Sequence, residues 1–477
     1  MNSSTTPLFI LIVSLLGPAS WADVSSPDEI QVQMTHFELT ADLNYEEGSL
    51  EGVARLEIEN VSDRAADSVP LNLNRLMSLR SVRDESGQSL SYQQDVATFV
   101  DEPKKQVTHA VVSLGKLLPP GQSTTVELHY SGYLVGYTET GSSYIRDSID
   151  EGFSILRVDA HAFPSIGVLS WMGNRMAPRG DFTFLARITV PEAYTVASGG
   201  ELVERTVQDG RATFTYQSTA PVPFLNLPIA DYEVLEEGGL RLFYFPSDRA
   251  GARVIVGRVA EAVELLTRWF GPLGQKPGFA IMEIPAGWGS QAHIAAGIMQ
   301  TAEVFEDPSD LRQLYHELSH LWNAPDLDQP SARWNEGLAM YLQSILAEEI
   351  EGWEGLSEYL ESRADRLLRA FDESPSAQGV PFVSYGQKGL TDYSYATGLL
   401  FFFVLDEILG QRELLETLRA HYQEHREVGT TFEDLEEALM QGASRDLGPF
   451  LDEWIHTTTW QSRLRDRDSI PALAELY

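Results

Sequence analysis

The stretch YHELSHLWNAPDLDQPSARWNEG, from Tyr315 to Gly337, decides how the rest of the sequence is interpreted. It holds two histidines with three residues between them, a glutamate beside the first, and another glutamate after a loop. On a helix, residues four apart project from one face, so His316 and His320 can reach one ion. Glu317 would then lie beside a metal-bound water, where its carboxylate can accept a proton.

The segment that follows supplies a third candidate ligand. SARWNEGLAMYLQSILAEEI is predicted to form a helix after Pro330, with Ser331 as its cap and Glu336 one turn in. If the two helices pack antiparallel, the Glu336 carboxylate reaches the ion. Two histidines and one glutamate with an open fourth position are typical of catalytic zinc. The sequence therefore predicts one Zn²⁺ per chain. The alternative is a helix with two incidental surface histidines.

A second pair of histidines competes with this site. HYQEH, His421 to His425, fits the inverted order of a zinc motif. Its surroundings, QRELLETLRAHYQEHREVG, carry the charges of a solvated helix face, and no further carboxylate is marked out nearby. The other histidines are isolated and are predicted to be surface or satisfied core residues, with His293 placed where it could line the cleft: His36, His109, His129, His161, His293 and His456.

Composition limits the chemistry and the partners. The chain has 477 residues, 43% of them hydrophobic, which is enough for two or three domains with cores. It has no cysteine, so a metal site must use histidine and carboxylate ligands. Its net charge of −36 argues against nucleic acid as a partner, because phosphates need a basic surface. The simplest interpretation of the charge is a well-solvated acidic surface.

The N-terminus has the pattern of a secretory signal peptide over residues 1–22. MNSSTTPLFILIVSLLGPASWA has an apolar run at Leu8–Leu16, a Gly17-Pro18 break and small residues at its end. It has no lysine or arginine before the apolar run, and an uncleaved anchor would show the same pattern. No later run approaches the roughly 20 apolar residues that span a bilayer. We therefore expect a secreted or periplasmic protein with no stable membrane insertion after signal cleavage.

The hydrophobic period changes once along the chain. Short alternating runs such as EGVARLEIENVS and RATFTYQS predict an antiparallel β-domain over residues 23–237. A mostly helical domain is predicted over 238–477. One of its helices is expected to begin at Pro308 after an Asp307 cap. The predicted helices are 252–271, 308–322, 332–350, 353–373, 394–409, 411–427, 431–440 and 447–457.

These features together resemble the gluzincin metallopeptidases of the aminopeptidase N family. HELSH followed by WNEGLAMY is similar to the family's zinc signature, and DFTFLARITVPEAYTVASGGEL to the last strands of its β-domain. The resemblance implies an α+β fold in which a β-saddle domain precedes a thermolysin-like domain. It places the catalytic tyrosine of YATGLLFFFVLDEILG at Tyr395. GPFLDEWIHTTTW resembles the end of the catalytic domain, so we expect no C-terminal helical-repeat domain. HELSHLWN also resembles the related glycyl aminopeptidases, the second choice of family.

Three departures from that family concern spacing and substrate binding. Fifteen residues separate His320 from Glu336, three fewer than in the family pattern, which a shorter loop can absorb. The family's G-x-M-E-N motif is aligned with Gly297, Ile298, Met299, Gln300 and Thr301, so Gln300 replaces the glutamate that grips a substrate amine. In the β-domain, the other amine-binding positions are aligned with Phe153 and Ile155.

The predicted function is that of a secreted zinc-dependent peptidase that acts on peptides or proteins. Glu317 activates water and Tyr395 stabilises the oxyanion, while the altered amine-binding positions leave open whether a free N-terminus is required. The alternative is an inactive peptide-binding protein that keeps the fold. Zinc content together with hydrolysis of mixed peptides separates the two.

Overall fold

The computed structural model describes residues 30–176, 180–273, 279–327 and 334–477 of the chain. The predicted signal peptide and the predicted helix cap at Ser331 lie outside these ranges.

The N-terminal half is built from strands with alternating burial. In the first strand, Phe37, Leu39, Ala41 and Leu43 are buried while the residues between them are more exposed, as expected for a sheet with one face on a core. The strands are β1 (Val32–Asn44), β2 (Ser49–Asn60), β3 (Ala66–Asn74), β4 (Met77–Asp84), β5 (Tyr92–Thr98), β6 (Gln106–Leu118), β7 (Ser123–Tyr133), β8 (Ser154–Arg157), β9 (Ser165–Ile166), β10 (Thr183–Pro191), β11 (Thr195–Val196), β12 (Glu201–Gln208), β13 (Arg211–Gln217) and β14 (Asn226–Ala230).

These strands form three sheets, with orders β12-β13-β10-β1-β2-β7-β4, β5-β6-β3-β9 and β11-β14-β8. Most neighbouring strands are antiparallel, but β1 and β10 are parallel, with His36 opposite Thr183 and Asp42 opposite Thr189. The predicted antiparallel β-domain therefore contains one parallel pair, which the sequence pattern did not predict. The two strands are far apart in sequence, so no hairpin turn between them marks their relative direction.

A fourth sheet belongs to the second half of the chain. Its strands are β15 (Glu233–Glu237), β16 (Leu240–Tyr244), β17 (Phe279–Ile284), β18 (Gln291–His293) and β19 (Gly297–Thr301), in the order β15-β16-β17-β19-β18. The predicted domain boundary at 237/238 falls in the turn between β15 and β16, at Gly238 and Gly239, both with positive φ. The division into domains stays a prediction. The short strand β18 is an edge of this sheet and pairs only with β19 within it.

The rest of the chain is mostly helical, which confirms the predicted α+β class. The α-helices are α1 (Trp171–Met176), α2 (Arg249–Phe270), α3 (Glu303–Glu306), α4 (Arg312–Ser319), α5 (Trp334–Glu351), α6 (Leu356–Glu373), α7 (Pro375–Gln378), α8 (Thr391–Leu409), α9 (Gln411–His425), α10 (Phe432–Gly442), α11 (Gly448–Leu451) and α12 (Trp460–Arg465). A 3₁₀ turn, His320–Trp322, extends α4, and a π turn, Asp452–His456, extends α11.

The predicted start of α4 was wrong. The helix begins at Arg312, not at Pro308, because the Asp307 side chain accepts hydrogen bonds from the backbone and hydroxyl of Ser309 in a local turn. Asp310 then accepts from the Arg312 backbone N–H. An aspartate can close such a turn as readily as it caps a helix, and the two are not separable by sequence pattern.

A single apolar cluster joins α2, α4, α5, α8 and one face of the fourth sheet. Within the described residues, no single helix is long and apolar enough to cross a bilayer. Helices α8 and α9 taken together are long and apolar enough, but they are bent by 119° relative to each other.

Candidate metal centre

The three predicted ligands meet at the end of α4 and the start of α5. Nε2 of His316 lies 3.1 Å from Oε2 of Glu336, and Nε2 of His320 lies 3.3 Å from the same oxygen. The two histidine Nε2 atoms are 3.1 Å apart. Among the described residues, this is the cluster of three or more candidate ligands with donor atoms close enough to share an ion.

These distances fit a tetrahedral zinc site. Ligand atoms at about 2.0–2.1 Å from Zn²⁺ in tetrahedral geometry lie roughly 3.3 Å from each other. The three measured distances fall close to that value. Two imidazole nitrogens that face each other with a carboxylate oxygen beside them also form a site that favours a cation.

The protonation equilibria of the ligands reflect their burial and their mutual charges. Burial lowers the pKa of His316. Burial also lowers that of His320, but the Glu336 carboxylate outweighs it and the net pKa is raised. Burial opposes ionisation of Glu336, yet the two imidazoles hold its pKa far below the usual range. The cluster therefore holds its carboxylate ionised, as a metal ligand must be.

The other two predicted residues lie beside the ligands. Glu317 is buried, and burial raises its pKa to about 8, while His320 lowers this pKa and the Glu336 carboxylate raises it. The Tyr395 ring stacks on His316, with ring centroids 5.8 Å apart and planes at 22°. Burial, and then the Glu336 and Glu317 carboxylates, raise the pKa of Tyr395 well above its usual value, so the phenol keeps its proton. The structure thus brings all five residues together.

Contact between two glycines fixes the position of Tyr395 relative to Glu336. A Cβ built on Gly398 of α8 would lie 2.6 Å from the Cα of Gly337 on α5, so the two helix backbones touch. Gly337 directly follows Glu336, and Gly398 lies one turn after Tyr395. The sequence analysis missed this contact, because a glycine inside a helical pattern shows no partner.

Asn323 links the two segments that carry the ligands. Its Nδ2 donates to the carbonyl of Asn335 at 3.1 Å and lies 3.3 Å from Nδ1 of His320. Asn335 immediately precedes Glu336. One side chain therefore touches the second histidine and the backbone next to the third ligand, which limits how far the two segments can separate.

The segment predicted to bind substrate is not brought to an open cleft. Gly297, Ile298, Met299 and Gln300 form the inner strand β19, paired on both sides, and all four are buried. Gln300 is fully buried, and neither atom of its amide has a hydrogen-bond partner among the described residues. The predicted role of this strand in binding an amine is not supported by this geometry. Phe153 and Ile155 are likewise buried in apolar contacts.

Glu283 is the residue directly opposite Gln300 on β17. It too is fully buried, and burial raises its pKa to about 9. Oε2 of Glu283 accepts from the Phe245 backbone N–H, whereas Oε1 has no partner within the described ranges. A glutamate at position 300 would therefore place a second carboxyl beside a buried one. This gives a structural reason for an amide at this position.

The competing histidines form no comparable cluster with other residues of the described ranges. His421 is buried beside Trp334, its Nε2 lies 3.3 Å from the Thr430 hydroxyl, and burial lowers its pKa to about 4. Nδ1 of His425 faces the Gly429 carbonyl. His293 lies on β18, where its Nδ1 accepts from the backbone N–H groups of Ala295 and Ala296.

A first prediction concerns the glycine contact. Gly398→Ala should lower the free energy of unfolding by about 1–3 kcal/mol, because the backbones must separate, and should weaken zinc binding as Tyr395 and Glu336 shift. Gly257→Ala is the matched control: nothing lies within 4 Å of its built Cβ in α2. That change should stabilise by roughly 0.5–1 kcal/mol. Urea unfolding and zinc titration measure both. Unchanged stability and zinc affinity in Gly398→Ala would refute the role of the contact.

A second prediction concerns Gln300. Gln300→Leu removes two buried polar atoms that lack partners, so stability should stay equal or rise. Gln300→Glu should lower the free energy of unfolding by about 1–3 kcal/mol, because it adds a buried carboxyl beside Glu283. Thermal and urea unfolding of the two variants decide this. If the leucine variant loses several kcal/mol while the glutamate variant does not, the amide has a role that this packing does not explain.

No protein-family profile and no curated protein matches the sequence. Solved structures do match. One match is an M1 zinc metallopeptidase from Deinococcus radiodurans, as a glutamate-to-alanine variant bound to a Tyr-Ser-Ala substrate. It is 19% identical to this chain with a TM-score of 0.66, and the match covers 89% of this chain and 94% of that chain. The M1 zinc metallopeptidase of the same organism gives 19% identity and a TM-score of 0.64, over 87% and 91% of the two chains.

A two-domain M1 zinc metallopeptidase bound to L-arginine is 18% identical with a TM-score of 0.63, over 93% of this chain and 94% of that chain. At these identities the likeness concerns the fold. It agrees with the resemblance found in the sequence, and with the sheets of the N-terminal half and the helices of the C-terminal half. The chain has the two-domain fold of the M1 zinc metallopeptidases, the gluzincins of the aminopeptidase N family.

Proposed function

We propose that this protein is a zinc-dependent peptidase that hydrolyses peptide bonds. The observation that carries the proposal is the set of three ligand atoms 3.1–3.3 Å apart, with Glu317 and Tyr395 packed beside them. A fold neighbour binds the peptide Tyr-Ser-Ala, and another binds L-arginine, which supports a peptide as substrate.

Each residue of the cluster has a distinct task. His316, His320 and Glu336 would hold Zn²⁺, which supplies an acidified water and polarises the substrate carbonyl. The Glu317 carboxylate could accept a proton from the attacking water and return it to the leaving amine. A cation held by these ligands would favour the ionised form of Glu317, the form that can accept a proton.

Tyr395 is suited to stabilise the developing oxyanion. Its phenol stays protonated, so it can donate a hydrogen bond to an oxygen that gains negative charge in the transition state. Its stacking on His316 and the contact between Gly337 and Gly398 hold the ring in place before substrate binds. A preformed donor costs little reorganisation at the moment of reaction.

We further propose that the protein acts outside the cytoplasm, on the evidence of the signal-peptide pattern in residues 1–22. Its recognition of a substrate amine differs from that of the family it resembles, because Gln300, Phe153 and Ile155 stand at the aligned positions and all are buried. The alternative, an inactive peptide-binding protein, requires none of the contacts that bring Glu317 and Tyr395 to the ligands.

A third prediction tests the chemistry. The wild-type protein should cleave members of a mixed peptide library, and a chelator should abolish cleavage. Glu317→Gln should retain zinc and the fold but lose about 10²-fold or more in rate, since an amide cannot accept the proton. Mass spectrometry of the products and metal analysis provide the two readouts.

The control for this test is Glu354→Gln, an exposed glutamate outside the cluster, which should keep full activity. Cleavage by Glu317→Gln at the wild-type rate would remove Glu317 as the base. A zinc-loaded wild type that cleaves no peptide would favour the inactive binding protein.

A further inference from the structure

The chain that connects the second histidine ligand to Glu336 is held at its start by the turn between α9 and α10. The Leu327 backbone N–H donates to the Thr430 carbonyl, and the Thr430 N–H donates to the Pro325 carbonyl, both at 2.8 Å. Thr430, which belongs to this turn, is fully buried. One residue therefore makes two backbone hydrogen bonds to the segment that leaves the metal centre after His320.

The same segment is held at its other end by His421 of α9. Helix α5 begins at Trp334, two residues before Glu336. The buried Trp334 ring packs against the His421 ring, with centroids 6.0 Å apart and planes at 71°. Nε2 of His421 also lies 3.3 Å from the hydroxyl oxygen of Thr430. His421 therefore contacts both the residue that holds the start of the segment and the residue at its end.

The hydrogen bonds around Thr430 assign the donor in its contact with His421. The Thr430 hydroxyl has one hydrogen and donates it to the Thr431 carbonyl at 3.2 Å. Nε2 of His421 then carries the ring hydrogen and donates it to the Thr430 hydroxyl. Burial, and then the charge of His425, lower the pKa of His421 to about 4, while Asp434 acts in the opposite direction. The imidazole is therefore neutral at neutral pH, and its one N–H orients Thr430.

Local contacts fix the turn between α9 and α10. Thr431 caps α10 in a capping box: its hydroxyl accepts from the Asp434 N–H, and the Asp434 carboxylate accepts from the Thr431 N–H. Gly429 has a φ of 81°, and its N–H donates to the His425 carbonyl. A Cβ built on Gly429 would lie 2.5 Å from the Leu327 side chain, so a glycine here allows the close approach. These contacts fix the turn without using a metal ligand.

We propose that His421 and Thr430 are positioning residues of the metal centre, which hold both ends of the segment that brings Glu336 to the two histidines. Within the described residues, they reach the ligands through Trp334 and through the backbone near Leu327. Outer contacts that hold a ligand in place reduce the ordering that is needed when the ion binds. The inference rests on the proposed function, because it takes the cluster to bind zinc. It also gives the HYQEH motif a role other than that of a second metal site.

Metal binding tests this proposal without turnover. Zn²⁺ is titrated into the metal-free wild type and into Thr430→Val, which replaces the hydroxyl by a methyl group, while Thr430→Ser keeps the hydroxyl and is the rescue variant. The matched control is Thr417→Val, at a buried threonine of α9 whose side chain packs against Gly442. Each protein is also loaded with Co²⁺, whose visible absorption reports the geometry of its ligands. The unfolding midpoint of each metal-free form is measured alongside.

Thr430→Val should weaken Zn²⁺ binding about tenfold and change the Co²⁺ spectrum, because Glu336 is held less well. Thr430→Ser should bind like the wild type, and so should Thr417→Val, even where its unfolding midpoint falls. A Thr430→Val protein with a lower midpoint but with wild-type affinity and spectrum would overturn the proposal, because the residue would then support the fold alone. Equal weakening in Thr417→Val would overturn it as well.

If Thr430→Val does not fold, the same titration compares His421→Leu with His421→Gln. The glutamine amide can donate to Thr430 in place of Nε2, so His421→Gln should bind Zn²⁺ more tightly than His421→Leu. Wild-type affinity in His421→Leu would overturn the proposal. A wild type that binds zinc in this way but cleaves no peptide contradicts the proposed function while leaving the positioning role supported.

Discussion

The contact between Gly337 and Gly398 is the constraint on which the metal centre depends. Two helices cross here with their backbones touching, and each helix places a functional side chain within one turn of the crossing. Any side chain at either position would push the helices apart. Because Glu336 must reach two histidines on a third segment while Tyr395 stacks on one of them, the cluster tolerates little displacement. Close backbone packing thus sets the geometry of the chemistry.

Burial and charge act together around this crossing. Glu317 is buried and Glu336 is partly buried, in a chain that already carries a net charge of −36. Two nearby carboxylates are unfavourable together without cations, and the histidines compensate only one of them. Zn²⁺ would offset this charge, so its binding free energy also adds to the stability of the folded state. The helices that hold the ligands are consequently expected to gain stability with the metal.

The sequence was sufficient to predict what depends on local pattern. The change of period, the spacing of His316 and His320 and the position of Glu336 after a loop predicted the α+β class and the grouping of the ligands. Features that depend on contacts between residues far apart in the sequence could not be predicted from local pattern. The parallel pairing of β1 with β10 has no local signal, and the turn at Asp307 resembles a helix cap. Gln300 was aligned by a short motif, yet its strand lies inside the sheet. The edge strand next to α4 is instead β18, which contains Gln291. This strand has only three residues, too few for an alternating hydrophobic pattern to identify it as a strand.

One zinc ion is expected to bind between His316, His320 and Glu336 and to organise the site. X-ray diffraction from crystals grown with zinc, collected on both sides of the zinc absorption edge, tests this directly. We expect a single anomalous peak about 2.0–2.2 Å from Nε2 of each histidine and from Oε2 of Glu336, with Glu317 and Tyr395 facing the open coordination position. An anomalous peak between His421 and His425 instead, or no peak at the end of α4, would contradict it.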